Sequence, residues 1–276
     1  MSLPLPSPAQ LERIETLALA DLFAAAPGEV SAFLGLGSRW LGDTLITWAT
    51  RADVLMFNRA FNVGQTVPTS SAQLKQIASR FDAQGVPRSF LQIAPGARPD
   101  ELEAWADGLG YAPYNRWAKF ARALESLPPT SETVRIDKIE PARAAEYGRL
   151  VVDTFTMPEQ ILGWHGALVG RTGWHHYIAT LEGEAVGCAA MFVCDGLAAF
   201  GTAGTVTHAR GRGVQGALIV RRLHDAAAAG GTHAVVETAE DTPAKPAPSF
   251  RNQLRHGFEL CYLRANWLRA MPPRPA

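Results

Sequence analysis

Between residues 174 and 206, three apolar-rich runs are separated by short polar turns, and the first of these runs alternates between apolar and polar positions. The runs are Trp174–Leu181, Ala185–Val193 and Leu197–Val206, and the turns are Glu182–Glu184 and Cys194–Gly196. A period of two with many aromatic and β-branched residues is typical of half-buried strands. The pattern therefore predicts a meander of three antiparallel strands.

After residue 213 the period changes to that of a helix. Apolar and small residues then fall on one helical face: Gly216, Ile219, Val220, Leu223 and Ala227. Gly230 and Gly231 are placed to end this helix. The apolar run Ala234–Thr238 predicts the strand that follows it.

The remaining pattern from residue 133 onward completes a mixed set of elements. It predicts a strand over Thr133–Ile139, a helix that begins at Pro141, a short helix over Ser249–Arg255 and a pair of strands between Glu259 and Ala270. Strands in antiparallel succession combined with a strand–helix–strand unit indicate the α+β class. We expect a mixed, largely antiparallel twisted sheet flanked by helices.

An internal repeat extends this expectation to the first half of the chain. Gly110–Ala123 resembles Gly257–Ala270, which starts 147 residues later (257 − 110). A strand-like run, a proline-containing loop and a helical segment precede each copy. Internal similarity on this scale indicates duplication. We therefore predict two tandem domains, at residues 1–127 and 133–276, joined by the proline-marked linker Glu125–Glu132.

Composition narrows the possible functions. The 276 residues suit about two domains, and 26 basic residues balance 26 acidic ones. Zero formal charge argues against a broad surface for nucleic acid or membrane. The cysteines Cys188, Cys194 and Cys261 lack metal-ligand spacing, so no metal is expected. With no leader-like start and no membrane-length apolar run, we expect a cytoplasmic protein.

The candidate chemistry lies between the third meander strand and the helix, at Arg210–Gly213. A glycine-rich turn before a helix directs successive backbone N–H groups into one small volume at the positive end of the helix. Arg210 and Arg212 add mobile positive charge, and the glycines allow close approach to the main chain. The segment predicts a site for a phosphate or pyrophosphate.

Two familiar phosphate loops are alternatives. A Walker loop is excluded because no Gly-Lys-Ser/Thr follows Gly213. Gly211–Gly216 does match the Gly-x-Gly-x-x-Gly letters of a Rossmann loop, and Glu237 lies in the following strand. That loop usually follows the first strand of a parallel sheet, whereas this one follows a meander. A nucleotide-binding regulator stays open as a weaker hypothesis.

The segment Arg210-Gly-Arg-Gly-Val-Gln-Gly-Ala217 resembles the acetyl-CoA pyrophosphate loop of the GCN5-related N-acetyltransferases (GNAT superfamily). The family pattern is Gln/Arg-x-x-Gly-x-Gly/Ala. Arg210 and Gly213 fill its first two key positions, and Gln215 departs from it at the third. The order of elements from residue 133 matches the family fold, and Asn252 before Gly257-Phe258 resembles its fourth-helix segment. The resemblance covers about half of the chain.

This resemblance implies two tandem GNAT-like domains. Residues 60–80 contain nothing similar to Arg-Gly-Arg-Gly. The domain at 1–127 is therefore expected to be degenerate, with a structural role or a role in shaping the acceptor site. A second ligand site in that domain is the alternative.

The resemblance further implies transfer of an acyl group from acetyl-CoA to an amine of a small molecule or protein, by direct attack on the thioester and without a metal. The residues implied to hold acetyl-CoA are Gly204, Thr205, Val206, Arg210, Gly211, Arg212, Gly213, Val214, Gln215, Gly216, Ala217 and Asn252. The pantetheine arm would pair with the edge of residues 204–206 as an added strand does. A backbone N–H near Val206 would polarise the thioester carbonyl.

The catalytic residues are less clearly marked. Glu237, late in its strand, is the first candidate for general base, with a solvated strand-end acid as the equal alternative. Glu240 and Asp241 are weaker candidates, and His208 is read as a surface residue. Many members of the family carry a tyrosine four residues before the Gly-Phe pair, where this chain has Gln253. Tyr262 is then the nearest candidate acid.

The acceptor side is expected near four aromatic residues, Phe155, Trp164, His165 and Trp174, although core packing is the favoured interpretation of these side chains. The partner is an amine acceptor, with neither nucleic acid nor membrane, and the protein is a monomer or homodimer. A competing hypothesis is a non-catalytic module that binds acyl-CoA.

Overall fold

The computed structural model describes residues 3–130 and 133–271. Its chain divides into two compact units. The amino unit contains Ser7–Ala24, Gly28–Ala118 and the chain from Tyr262 onward, and the carboxy unit contains Lys119–Cys261 with residues 3–6 and 25–27. This division differs from the predicted domains 1–127 and 133–276. The boundary at 118/119 falls inside the strand Ala112–Ala123, and the boundary at 261/262 falls inside the strand Glu259–Ala270.

The amino unit is a mixed sheet with helices. Its helices are α1 (Pro8–Ala24), α2 (Gly28–Leu34), α3 (Ser71–Gln84) and α4 (Leu102–Gly108), and its strands are β1 (Leu36–Leu41), β2 (Thr44–Ala49), β3 (Arg59–Phe61), β4 (Arg88–Ile93) and the first part of β5 (Ala112–Ala123). Strands β1, β2 and β3 are antiparallel, and β3 and β4 are parallel. Helix α3 packs on the sheet through Leu74, Ile77, Ala78 and Phe81.

The carboxy unit likewise combines strands of mixed direction with helices. Its elements are β6 (Arg135–Lys138), α5 (Ala144–Phe155), α6 (Leu162–Gly166), β7 (Trp174–Leu181), β8 (Glu184–Cys194), β9 (Leu197–Thr205), α7 (Val214–Ala228), β10 (His233–Ala239), α8 (Pro248–Arg255) and the start of β11 (Glu259–Ala270). Strands β6 to β9 form an antiparallel meander, and β10 is parallel to β9. The predicted α+β class, with a largely antiparallel sheet in each of two tandem parts, is confirmed.

The predicted pair of strands between Glu259 and Ala270 is wrong, because a single strand of 12 residues, β11, covers this range. The range contains no glycine or proline that would form a turn. Its central Asn266, which has the character of a turn residue, is instead buried, and its amide oxygen accepts a hydrogen bond from Gln92 at 2.7 Å.

The internal repeat corresponds to equivalent elements. Strands β5 and β11 each have 12 residues and begin two positions after a glycine with a left-handed backbone, Gly110 (φ 81°) and Gly257 (φ 74°). In each case a helix, α4 or α8, comes just before that glycine. The glycine is required at this turn because a side chain disfavours positive φ.

A group of buried aromatic rings lies beside α5 in the carboxy unit. The imidazole of His176 is 1% exposed and lies 4.8 Å from the Tyr147 ring and 5.7 Å from the Trp174 ring. Neither of its ring nitrogens has a hydrogen-bond partner among the described residues. Burial, followed by the positive charge of the neighbouring His165 and His175, lowers the pKa of His176 to about 3. Burial also lowers the pKa of His165 to about 4.

These histidines predict acid-sensitive folding. Their pKa values are lower in the folded than in the unfolded chain, so the unfolded chain binds more protons below about pH 6.5. The free energy of unfolding should therefore fall as the pH drops from about 6.5 toward 4, by up to about 1.4 kcal/mol per pH unit for each histidine. Urea unfolding of His176→Phe should show a shallower fall than wild type. A slope equal to that of the control His208→Phe, at an exposed histidine, would contradict this account.

The helices that the structure describes are too short or too polar to span a membrane singly. Within 3–130 and 133–271, no single helix is both long enough and apolar enough to cross a bilayer. Helices α1 and α2 meet the requirements of length and composition only when taken together, and they are bent by 102° at the break between them.

Candidate functional site

The parallel strands β9 and β10 separate halfway along their length. Their pairing runs from Leu197 with His233 to Phe200 with Val236 and ends there. Both strands nevertheless continue, β9 to Thr205 and β10 to Ala239. The main chain of β9 beyond Phe200 therefore has an edge that β10 does not pair with. Such an edge is a place where an extended ligand can add as a strand.

A β-bulge bends β9 at this opening. The register with β8 shifts between Cys188 and Ala190, so that Thr202 and Ala203 occupy the space of one residue. Thr202 has a φ of 42°, which is uncommon for a β-branched residue. Bulges redirect the strand that contains them and are frequent beside active sites.

Beyond the bulge, the hydrogen bonds show which amide faces the opening. Val206 N–H donates to Val186 O on β8 at 2.9 Å. Main-chain groups alternate between the two edges of a strand, so the N–H and C=O of Thr205 point away from β8. Arg210 Nε donates to Thr205 O at 3.3 Å, consistent with this direction. The amide of Val206 itself is thus occupied, and Thr205 N–H is the neighbouring main-chain donor that faces the opening.

The glycine-rich loop between β9 and α7 has the predicted form. Gly211 and Gly213 have φ angles of 79° and 83°, and a side chain at either position would meet no atom within 4 Å. The N–H groups of residues 211–216 have no acceptor within 3–130 and 133–271, and the first bond into the helix is from Ala217 N–H to Gly213 O at 3.0 Å. Unpaired amides at the positive end of a 15-residue helix are the arrangement that an anion site requires.

Two side chains fix the loop against the sheet. Val214 is 1% exposed, and a Cβ at Gly187 on β8 would lie 2.8 Å from Val214 Cγ1. The start of α7 therefore packs directly on the β8 main chain, which requires glycine at 187. Ala217 is also buried. Val214 and Ala217 consequently present only main-chain groups to a ligand, while their side chains belong to the core.

The two loop arginines are exposed but already have contacts. Arg212 pairs with Glu182, which is itself largely exposed. Arg210 makes the bond to Thr205 O described above. The ion pair of Arg212 and the hydrogen bond of Arg210 both lie at the surface, where such contacts contribute little to the stability of the fold. The two guanidinium groups can therefore exchange these partners for an anion at small cost.

Helix α8 contacts the first turn of α7 through a polar network. Asn252 Nδ2 donates to Gln215 Oε1, and Arg255 donates to Asn252 Oδ1. Gln215 Nε2 donates to Ser249 Oγ at 3.3 Å. The ring of His256 lies against Gly216, since a Cβ there would be 3.1 Å from His256 Nε2. Gln215, the departure from the family pattern, thus serves to hold α8 beside the loop.

Glu237 lies one residue past the last paired residue of β10, so it stands at the opening. Its carboxylate is 3.1 Å from Lys119 Nζ on β5, and the two side chains are 19% and 6% exposed. Leu124 N–H donates to Thr232 O at 3.0 Å, a register that brings Lys119 directly opposite Glu237. Sequence reasoning missed Lys119. The signal was a lysine inside the otherwise apolar run Trp117–Ala121.

Tyr262, the candidate acid, belongs to the amino unit. Its hydroxyl donates to Glu12 Oε1 at 2.7 Å, and Arg264 Nη1 lies 2.8 Å from the other oxygen of Glu12. Burial, followed by the charge of Glu12, raises the pKa of Tyr262 far above its ordinary value. These contacts explain Tyr262 as part of a buried polar cluster. Its role as an acid stays a prediction without structural support.

Most of the aromatic residues expected on the acceptor side are core residues. Trp164 is 0% exposed, His165 is buried, and Trp174 packs on His176 and Phe192. Phe155 differs, since it is 43% exposed at the end of α5 and its Cζ would be 3.4 Å from a Cβ at Gly204. Of the four, Phe155 remains the candidate for contact with an acceptor.

The other polar candidates have local partners. His208 pairs with Glu184 at 3.0 Å on the surface. Asp241 accepts from Ala247 N–H and from Arg251, and these hydrogen bonds, that of Arg251 first, lower the pKa of Asp241. Asp241 thus orders the loop before α8. Within the part of the chain that the structure describes, no group of three or more His, Cys, Asp or Glu residues is placed to hold a metal ion.

The close packing of Gly204 against α5 predicts that a larger side chain at this position destabilises the fold. A Cβ at this position would lie 2.0 Å from Thr154 Cγ2 and 3.1 Å from Thr154 Cβ on α5. We expect Gly204→Ala to lower the free energy of unfolding by about 1–3 kcal/mol in denaturant titrations, as overpacking typically does. Gly201→Ala on the same strand is the control, because its Cβ meets nothing within 4 Å. Thr154→Ala should restore much of the loss, and equal effects at 201 and 204 would contradict the packing.

Comparison with known proteins gives a fold but no close relative. No family model matches the chain, and no curated protein matches it. A GCN5-related N-acetyltransferase from Kribbella flavida superposes with a TM-score of 0.63 at 16% identity, over 95% of this chain and 96% of that one. A GCN5-related N-acetyltransferase from Sphaerobacter thermophilus gives 0.60 at 14% identity, over 83% and 81%.

A tandem GNAT protein from the clavulanic acid biosynthesis pathway also matches, with a TM-score of 0.60 at 14% identity over 98% of this chain and 99% of that one. Identities this low establish the fold and not the activity. The resemblance that the loop residues indicated is confirmed at this level, and the chain has the tandem GNAT fold.

Proposed function

We propose that the carboxy unit binds acetyl-CoA and transfers its acetyl group to an amine of a small molecule or protein. The observation that carries this proposal is the set of unpaired amides at residues 211–216, next to the open edge of β9. The unpaired amides suit a diphosphate, and the open edge of β9 suits an extended arm that contains amide groups. Acetyl-CoA contains both groups.

The residues around the loop fit the charge of this ligand. The N–H groups of residues 211–216 would hold the diphosphate, and Arg210 and Arg212 would screen its charge. The edge of β9 at Gly204 and Thr205 would pair with the pantetheine arm. Asn252 and Gln215 would border this channel from the side of α8.

A nucleotide fits these residues less well. Rossmann-type binding uses a free carboxylate after the second strand to hold a ribose hydroxyl. The residue in that place is Glu237, which is ion-paired with Lys119. The loop also follows an antiparallel meander, and the fold is that of acetyltransferases.

Acetyl-CoA would supply a thioester, and the protein would supply orientation and proton transfer. Thr205 N–H is directed to the opening, where it would donate to the thioester carbonyl as negative charge develops on that oxygen. Glu237, held by Lys119, would accept a proton from the attacking amine, directly or through a water. A thiol with a pKa near 8.5 leaves as a thiolate without a strong acid, so a tyrosine at position 253 is dispensable.

The test combines binding with turnover. Thermal-shift measurements with acetyl-CoA, NAD and ATP should show stabilisation by acetyl-CoA, and a panel of amines should reveal release of free thiol. Stabilisation by the nucleotides alone would refute the assignment. Binding of acetyl-CoA without thiol release from any amine would instead favour the non-catalytic acyl-CoA-binding module.

We propose further that the amino unit has lost the equivalent cradle. At the start of α3, Ser70 caps the helix by accepting from Gln73 N–H at 3.1 Å. A Cβ at Gly64 would lie 2.5 Å from Arg98 O, and Arg98 N–H donates to Gly64 O at 2.8 Å. The segment 94–99 thus packs against the loop before α3, which supports the proposed loss. A cytoplasmic location and a monomeric or homodimeric state remain predictions.

A further inference from the structure

A groove of about 430 Å³ lies in the amino unit, between α3 and the hairpin of β1 and β2. Its floor is apolar and includes Leu41 and the buried Ile46. Its rim carries Arg39 from β1 and Lys75 and Arg80 from α3. Volumes of this size are typical of sites for small organic molecules.

The positive charges of the three basic side chains at the rim are not balanced by acidic partners among the described residues. The side chains of Arg39, Lys75 and Arg80 have no hydrogen bond or ion pair with any residue of 3–130 or 133–271, and the lining contains no acidic side chain. Like charges that share one groove repel each other, and a bound anion relieves that repulsion. The arrangement therefore attracts negative charge.

The nearby acids are engaged elsewhere in the unit. Asp82, at the end of α3, is held by Arg269 at 2.5 Å. Asp43, in the turn between β1 and β2, accepts from Val67 N–H at 3.0 Å and from Asn62 at 3.4 Å. Neither carboxylate lines the groove, so the positive charge of the rim is not neutralised from these neighbouring positions.

The geometry places the charges around one volume and not along a flat face. Arg39 pairs directly across the hairpin with Ile46, so the cation rises beside the apolar floor. On α3, Lys75 and Ser79 are four residues apart and share a face, with Arg80 next to them. Cations thus reach the groove from two different elements, and Ser79 and the apolar floor line the same volume.

We infer that this groove binds a small organic anion that carries at least two negative charges and a short apolar group, of the phosphate monoester type. Guanidinium groups bind phosphate oxygens in pairs, and lysine contributes a point charge. The apolar floor accounts for the organic group. This site is separate from the acetyl-CoA loop, which belongs to the carboxy unit, and it does not depend on the proposed function.

Calorimetric titration of the full chain with phenyl phosphate tests the inference, with benzyl alcohol and inorganic phosphate as reference ligands. We expect phenyl phosphate to bind more tightly than either, because only it meets both the rim and the floor. Arg80→Gln and Lys75→Gln should each weaken its binding about 10-fold or more, the loss typical of a hydrogen bond to a charged group. Added salt should weaken it as well.

The control is Arg149→Gln, which removes the same charge from a surface pair with Glu159 and leaves the groove intact. It should leave phenyl phosphate binding unchanged. All variants should retain the wild-type unfolding midpoint. Absence of phenyl phosphate binding to wild type, or equal loss in the control, would overturn the inference. Equal affinity for inorganic phosphate would also overturn it, since the apolar floor would then have no role.

Discussion

Replacement of Gly213 with aspartate is expected to abolish acetyl-CoA binding. Gly213 has a φ of 83° and no atom within 4 Å of its Cβ position, so the new carboxylate would project into the space in front of the loop amides. It would both fill that space and repel a diphosphate. We expect the dissociation constant from calorimetry to rise by about 100-fold or more, since a charge close to another of the same sign costs several kcal/mol.

Asparagine at the same position separates charge from backbone strain. Gly213→Asn has nearly the same shape and the same positive φ, which asparagine tolerates, but it carries no charge. It should lose much less affinity than Gly213→Asp. Gly96→Asp, in the amino unit with a φ of 79° and no atom within 4 Å of its Cβ position, controls for an added acid elsewhere. Equal affinity for Gly213→Asp and wild type would remove the basis for the loop assignment.

The second large effect is expected at Glu237 and Lys119. Glu237→Gln removes the proton acceptor and should lower kcat by about 100-fold or more, the usual contribution of a general base. Lys119→Met leaves the carboxylate without its ion-pair partner at a position that is 19% exposed. A desolvated carboxylate holds its proton more strongly, so the acidic limb of the kcat–pH profile should move to higher pH.

Lys119→Arg is the matched variant, because it keeps the charge and should keep the pH profile close to that of wild type. The affinity for acetyl-CoA should change little in all three variants, since neither side chain lies in the loop. A positioning role for Lys119 predicts recovery of activity at alkaline pH in Lys119→Met. A uniform loss at every pH, with a lowered unfolding midpoint, would instead assign Lys119 to folding alone.

The sequence predicted the carboxy unit closely and the first sixty residues hardly at all. The meander was readable because its turns carry Gly183 and Gly196 with positive φ and its strands are long apolar runs between short polar turns. Strand β7 was predicted to the residue, over Trp174–Leu181. Helix α1 shows no comparable pattern, because it buries polar residues such as Glu12 and Thr16 together with apolar ones.

The site could be predicted only where local sequence determines it. The turn before α7 follows from Gly211 and Gly213, which are close in sequence and both have a positive φ. The partner of Glu237 is 118 residues away along the chain (237 − 119), and its identity depends on how β5 pairs with β10. The bulge at Thr202 was not predicted either, although Gly201 and Gly204 flank it, because its position depends on how β9 pairs with β8. Long-range register is a tertiary property, which a local pattern does not encode.

The passage of β5 and β11 across the unit boundaries bears on how this protein can be dissected. A gene fragment starting at residue 133 would encode the loop and Glu237 but omit Lys119–Ala123, and a fragment ending at 127 would lack the chain from Tyr262. The first fragment would therefore lack a strand segment of the carboxy unit, and the second would lack a strand segment of the amino unit. Separate expression of the two repeats is therefore expected to give insoluble products, whereas their coexpression allows each to supply the missing strand of the other.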